Sequence, residues 1–158
     1  MTPSAVELAD RAEIMELVSR YFAAIDDKRL DDRAIVDATF APDGRIVSPN
    51  GTALVGRDAI FSGQNTSFAR FRSTHQVTSD YVIDLDGDTA RLRANVTAMH
   101  LWAAEESDPN ALQSHFVAGG VLSAVAVRTG DGWRLSELSN RVSWRTGAGL
   151  STMASTGK

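Results

Sequence analysis

The chain has 158 residues and a formal net charge of −4, with 43% hydrophobic and 23% charged residues. This length and composition are typical of one globular domain and exclude global disorder. The acidic balance, without a cluster of lysine and arginine, argues against a nucleic-acid partner, because binding phosphates needs a basic face. No apolar run approaches the roughly 18 residues of a membrane span, so we expect no membrane partner.

The residue types and motifs of the sequence exclude several kinds of chemistry. The absence of cysteine removes disulfides, thiolate nucleophiles and sulfur-ligated metals. No metal-ligand spacing, glycine-rich nucleotide loop or serine nucleophile elbow is visible, so we expect neither a metal nor a cofactor. The opening "MTPSAVELAD" lacks the basic and then apolar layout of a secretion signal, which favours a cytoplasmic protein.

The first part of the chain predicts three helices, at 10–27, 32–40 and 56–71. In the first, a single apolar stripe recurs at helical spacing, formed by Ile14, Leu17, Val18, Tyr21 and Ile25. Asp10 followed by Glu13 resembles an N-terminal cap, so we expect this helix to start there. "APDG" at 41–44 predicts a turn that ends the second helix. The third helix is entered through Gly56 and turns Phe61 inward.

The rest of the chain predicts strands. Two short ones, joined by a "PNG" turn, and four long ones are expected at 45–48, 52–55, 75–84, 89–102, 114–128 and 133–144. Helices followed by a meander of long strands indicate an α+β fold, with the helices on one face of a mostly antiparallel sheet. Such long strands favour a strongly curved sheet, which would enclose a pocket with one open end.

Alternation along the strands predicts which side chains line that pocket. On strand 89–102 the small and apolar face carries Val96, His100 and Trp102. On strand 75–84, His75 shares a face with Val77, Tyr81 and Ile83. Two histidines therefore point inward from neighbouring strands, although a single inward histidine is more often a satisfied core residue. His115, which begins the next long strand, is a further candidate.

An acid stands at the end of the first helix. Asp26 lies where the helix dipole disfavours negative charge, and a histidine partner would compensate it; the alternative is a solvated aspartate. Tyr21 lies about 140° around the helix from Asp26. The two residues could therefore border a wide pocket together, although Tyr21 alone would more often be a core residue.

The order of these elements resembles the SnoaL-like branch of the NTF2-like superfamily. The resemblance is carried by "LADRAEIMELVSRYFAAIDDKRLDD", "FAPDGRI", "GRDAIF", "STHQVTSDYVIDLDGDTARLRA" and "RTGDGWRLSELSNRVSW". It implies one domain over residues 1–145, and the glycine, serine and threonine content of residues 146–158 predicts a flexible tail. It also implies a conical barrel of three helices on a curved sheet, and homodimers or small homo-oligomers formed through the outer sheet face.

Within this superfamily the chain resembles scytalone dehydratase and bile-acid dehydratase. The resemblance implies that Asp26 and His75 are catalytic, with Tyr21 matching the bile-acid enzyme and His100 matching scytalone dehydratase. Ile25 departs from the tyrosine of scytalone dehydratase. The substrate-binding candidates are Trp102, His115, Arg141, Val96 and Phe61, of which Arg141 matches an arginine on the last strand of the bile-acid enzyme.

Together these features predict a cofactor-independent acid–base enzyme in which Asp26 and His75 form a dyad inside a dry cavity. A small, apolar, ring-bearing substrate fits a dehydratase-like lyase, or a cyclase or isomerase of polyketide-like or steroid-like molecules. All three reactions begin with abstraction of a proton next to a carbonyl. Two alternatives remain: a non-catalytic binder of a hydrophobic ligand, and a dimerising scaffold whose cavity is filled by side chains.

Overall fold

The structure, a computed structural model, describes residues 1–150, which contain three α-helices, one short 3₁₀ helix (Leu112–Ser114) and six strands. The α-helices are α1 (Ala5–Asp26), α2 (Arg33–Thr39) and α3 (Arg57–Phe68). The strands are β1 (Phe40–Val47), β2 (Ala53–Val55), β3 (Phe71–Asp86), β4 (Thr89–Trp102), β5 (His115–Thr129) and β6 (Gly132–Gly147). The predicted long elements are therefore confirmed, with shifts at their ends.

All six strands belong to one sheet, in the order β2-β1-β6-β5-β4-β3. Every neighbouring pair is antiparallel except β1 and β6, which run parallel. Helix α1 contacts both β3 and β6, although β4 and β5 separate those two strands in the sheet. The sheet must therefore curl around α1, and the predicted α+β fold is confirmed.

Helix α1 begins earlier than the sequence suggested. Ser4 caps it, since its hydroxyl accepts from the Glu7 backbone while the Glu7 carboxylate accepts from the Ser4 backbone. The predicted cap at Asp10 is wrong, because Asp10 lies within the helical segment and its side chain is buried. It accepts hydrogen bonds from the Arg128 guanidinium and, at 2.9 Å, from the indole of Trp133.

The predicted turn at 41–44 is also wrong, because these residues belong to β1. The pairing of β1 with β6 shifts between Phe40 and Arg45, which pair with Leu135 and Glu137 respectively. The step from Phe40 to Arg45 is five residues on β1 but only two on β6, and the proline and glycine lie in this interrupted part of the ladder. A proline is tolerated there because no ladder hydrogen bond needs its missing N–H.

The core lies between α1 and the inner face of the sheet. Along β4 the side chains alternate between buried and exposed, which confirms the predicted inward face of this strand. Strand β6 runs to Gly147, two residues beyond the predicted domain end, and the Ala148 N–H then bonds the His115 carbonyl. The remainder of the predicted tail, 151–158, lies outside the described residues. Within residues 1–150 no helix is both long and apolar enough to cross a bilayer.

Candidate functional site

Asp26, the last residue of α1, is fixed against β3 by two hydrogen bonds. Its carboxylate accepts from the Thr74 hydroxyl at 2.7 Å and from the Gln76 backbone N–H at 2.9 Å. These partners flank His75 in the sequence. Asp26 therefore meets the predicted segment of β3 through the residues on either side of the histidine.

His75 itself points the other way. Its side chain is exposed, and it pairs with Met99 on the outer face of β4. The predicted inward orientation of His75 and its hydrogen bond with Asp26 are therefore wrong. The predicted inward orientation of Val77 is also wrong, because this residue is 51% exposed.

A β-bulge explains the error. The pairing of β3 with β4 shifts between Ser79 and Val82, and Asp80 adopts a left-handed conformation with φ of 55°. Ile83 faces inward as predicted, but the extra residue reverses the alternation on its N-terminal side. Strict alternation counted back from Ile83 therefore predicts that His75 points inward. In the structure the inward side chains are those of its neighbours, Thr74 and Gln76.

Gln76 is a site residue that the sequence reasoning missed. It lies opposite Ala98 on the inner face, and its side-chain Nε2 is buried without a hydrogen-bond partner in residues 1–150. The sequence signal for this face was the alternation of the polar residues Thr74, Gln76 and Thr78. In the structure these three residues are half-buried, while the residues between them are exposed.

His100 faces the interior as predicted. Its ring stacks on Phe116 with centroids 3.9 Å apart and an interplanar angle of 5°, and it also lies 4.9 Å from the Phe71 ring. Its Nδ1 is buried and has no hydrogen-bond partner among the described residues. Burial, helped by the charge of Arg70, lowers the pKa of His100 to about 4, against the opposing effects of the Phe116 backbone and the Asp26 carboxylate. The ring is therefore neutral at pH 7 and lies within electrostatic reach of Asp26.

Tyr21 is buried on α1, as either sequence interpretation allowed. It is 2% exposed and packs edge-on against the Phe40 ring at 5.2 Å. Its hydroxyl has no hydrogen-bond partner in the described part of the chain. Burial raises the pKa of Tyr21, so the phenol stays protonated and remains a potential donor. We call Tyr21, Asp26, Gln76 and His100 the interior polar group.

The interior beside this group is packed rather than open. The Phe71, His100, Trp102 and Phe116 rings contact one another, with the Trp102 and Phe116 centroids 5.6 Å apart. The two best-defined cavities of residues 1–150 lie elsewhere, and the interior polar group lines neither of them. The predicted roomy cavity is thus replaced by an aromatic cluster.

The remaining candidates separate into different environments. Val96 is buried in the core, Phe61 packs against its edge, and the Trp102 indole donates to the Ala148 carbonyl. His115 pairs with Leu101 on the face opposite His100, and its Nδ1 lies 2.9 Å from the Ala111 carbonyl. Arg141 is exposed and lines a surface cavity. Only Trp102 among these lies in the aromatic cluster.

No set of three or more histidine, aspartate or glutamate side chains in residues 1–150 is arranged to hold a metal ion. The interior polar group therefore offers one carboxylate, one neutral imidazole, one phenol and one amide. These are groups for binding an oxygen atom and for moving a proton.

Comparison with known proteins decides the family, because the model of the SnoaL-like domain matches residues 6–139. The chain belongs to the SnoaL-like family. This SnoaL-like chain is 26% identical over 149 residues to the terrestric acid biosynthesis cluster protein E of Penicillium crustosum, covering 93% of this chain and 90% of that protein.

Solved structures show the same fold for this SnoaL-like domain. A putative scytalone dehydratase from Novosphingobium aromaticivorans superposes with a TM-score of 0.75 at 21% identity, covering 88% of this chain and 87% of that one. An NTF2-like superfamily protein from Salmonella enterica gives a TM-score of 0.71 at 18% identity, covering 88% and 94%. The fold implied by the resemblance to the NTF2-like superfamily is therefore confirmed.

Proposed function

We propose that this SnoaL-like protein is a cofactor-independent enzyme that moves a proton on a small, largely apolar, ring-bearing metabolite. A dehydratase-like lyase is the reaction we favour, and cyclisation or isomerisation would begin with the same abstraction. The names of two similar proteins, one from a biosynthesis cluster and one a putative scytalone dehydratase, support a small-molecule substrate.

The observation that carries this proposal is the unpaired state of three buried polar atoms. Tyr21 Oη, Gln76 Nε2 and His100 Nδ1 are buried without a hydrogen-bond partner in residues 1–150. Each such atom costs about 1–3 kcal/mol of stability. A domain selected only for stability gains nothing from them, whereas the oxygen atoms of a bound ligand would satisfy them.

In the proposed mechanism His100 replaces His75 as the base. Its neutral imidazole would take a proton from a carbon next to a carbonyl, and the Asp26 carboxylate would stabilise the imidazolium that forms. Tyr21 and the Gln76 amide would donate hydrogen bonds to the developing enolate oxygen. The hydrogen bonds from Thr74 and Gln76 would hold Asp26 in position.

The aromatic cluster fits a ring-bearing substrate. Phe116 already stacks face to face on the imidazole of His100, so a planar ligand ring could take up similar contacts with Phe71 or Trp102. Because these rings fill the interior, the ligand would have to part them. The Trp102–Ala148 hydrogen bond is one contact that entry would break.

The filled interior also favours the scaffold alternative, and the outer sheet face suits an association between two copies. Five large apolar side chains in residues 1–150 are exposed on that face: Val55, Val77, Val82, Met99 and Trp144. We propose a homodimer formed through this face. Such a dimer is compatible with catalysis in the interior, so it does not by itself decide between the two functions.

Hydrogen–deuterium exchange can test catalysis without knowledge of the final product. A panel of cyclic hydroxyketones would be incubated with the protein in D₂O, and exchange of the protons next to the carbonyl would be followed by NMR. We expect Asp26→Asn and His100→Phe to slow exchange by about 100-fold or more, as for loss of a positioned acid–base group. The exposed His75→Ala is the matched control and should change the rate less than about twofold.

The outcomes separate the three functions. Binding of these ketones, seen by saturation-transfer NMR, without exchange would support the non-catalytic binder. Neither binding nor exchange would support the scaffold. Loss of exchange in His75→Ala but not in His100→Phe would refute the roles given to the two histidines.

A further inference from the structure

A surface cavity of about 450 Å³ lies beside the last strand, at the point where β1 ends. The ladder between β1 and β6 ends with Val47 paired to Ser139, yet β6 continues to Gly147. From residue 140 onward this edge of β6 has no strand partner within residues 1–150. We call this cavity the edge notch; its lining includes Ser48, Ser139, Asn140, Arg141 and Arg145.

A β-bulge brings two arginines to the edge notch from opposite faces of the strand. Arg141 pairs with Val121 and Arg145 pairs with Ala118, and between these pairs the register shifts so that Ser143 has no counterpart on β5. Without that extra residue, two positions four apart would lie on the same face. The guanidinium groups therefore flank the free edge of β6 on both sides.

Neither guanidinium group has a counter-charge among residues 1–150. Neither Arg141 nor Arg145 forms an ion pair or a side-chain hydrogen bond with any residue in 1–150, and both are exposed. The neighbouring acid, Glu137, is paired with Arg45 at 3.4 Å. The notch is thus a local positive site on a chain whose net charge is −4. The Ser48 and Ser139 hydroxyls and the Asn140 amide add neutral hydrogen-bonding groups to its lining.

We propose that the edge notch binds a small oxyanion, either a carboxylate or a phosphate group, between Arg141 and Arg145. A guanidinium presents paired N–H donors that match two oxygens of such a group. The volume of about 450 Å³ falls in the range of small-molecule sites. The notch shares no residue with the interior polar group, so the proposal does not depend on the proposed catalysis.

An NMR titration tests the proposal with inorganic phosphate and with succinate as separate probes, at constant ionic strength. We expect the backbone signals of residues 139–146 and the arginine Nε–Hε signals to shift, with binding in the millimolar range. Arg141→Gln and Arg145→Gln should each weaken binding about threefold, and the double variant about tenfold. Succinate binding without phosphate binding would assign a carboxylate ligand, and the reverse result a phosphate.

Arg91→Gln is the matched control, because Arg91 is also an exposed strand arginine without an ion pair in the described residues. It removes the same charge away from the notch and should leave binding unchanged. Equal binding by the double variant and the parent would overturn the proposal. So would equal weakening by Arg91→Gln, or shifts scattered over the surface. Circular dichroism and the Tm of each variant would establish that it is folded. If the double variant does not fold, the two single variants test the same proposal.

Discussion

Replacing His100 with phenylalanine should make the protein less sensitive to acid. The imidazole is half-buried with its Nδ1 enclosed, and burial lowers its pKa to about 4 against an ordinary value of 6.5. Between these pH values the unfolded chain binds a proton at this residue and the folded chain does not, so stability falls as the pH falls. From pH 7.5 to pH 5 this difference is worth about 2 kcal/mol, and His100→Phe should abolish it.

Urea denaturation followed by far-UV circular dichroism measures the effect. The free energy of unfolding would be determined at pH 5 and pH 7.5 for the parent and for His100→Phe. Phenylalanine is suitable because its ring can keep the stack on Phe116, whose centroid lies 3.9 Å from that of the imidazole. The contributions of all other titrating groups appear in both proteins and cancel in the double difference.

A double difference near zero would refute the burial argument, since it would mean that His100 takes up protons equally well in the folded and unfolded states. A negative value would mean that the Asp26 carboxylate outweighs burial in its effect on the imidazole. The exposed His75→Gln serves as the control, and it should keep the full pH dependence of the parent.

Three further perturbations give independent checks. Tyr21→Phe removes a buried hydroxyl without a partner, so urea denaturation should show unchanged stability or a gain of up to about 1 kcal/mol, while deuterium exchange into the ketones slows. Gly120→Ala should lower the free energy of unfolding by about 1–3 kcal/mol in the same assay, because its Cβ would overlap the Arg141 carbonyl oxygen. Trp144→Ser should weaken the proposed homodimer about tenfold or more by sedimentation velocity, whereas Leu112→Ser, another exposed apolar residue but outside the sheet, should not.

The elements with long, regular patterns were predictable from sequence. The alternation along β4 gave both its bounds and its inward face, which placed His100 correctly. The apolar stripe of α1 likewise placed Tyr21 in the interior. These patterns succeed because one whole face of each element is buried, so that every residue along it carries the same signal.

The failures occur where one local rule competes with the tertiary structure. Proline and glycine at 41–44 indicated a turn, but the parallel pairing of β1 with β6 absorbs them as an irregular stretch of strand. Asp10 was predicted to be a helix cap from its local sequence. Its actual partners, Arg128 and Trp133, are more than a hundred residues away and give no local signal. The packed interior was not predicted, because the small side chains of β4 suggested an open space. In the structure the Phe71 and Phe116 rings, from β3 and β5, fill that space.

The candidate site depends on the bulge in β3 more than on any single motif. Asp80 occupies the left-handed region that aspartate tolerates better than most residues, and its carboxylate accepts from Asn95 and Ser79 next to it. This one inserted residue decides whether the side chain of β3 that faces the Asp26 carboxylate is the His75 imidazole or the Thr74 hydroxyl, since a shift of one position exchanges the two faces of the strand. A spacing between an aspartate and a histidine therefore cannot identify a dyad in this fold unless the register of β3 is known. The proposed base is accordingly placed on β4, which pairs with β5 in unbroken register from Thr89 to Leu101 and holds His100 inward.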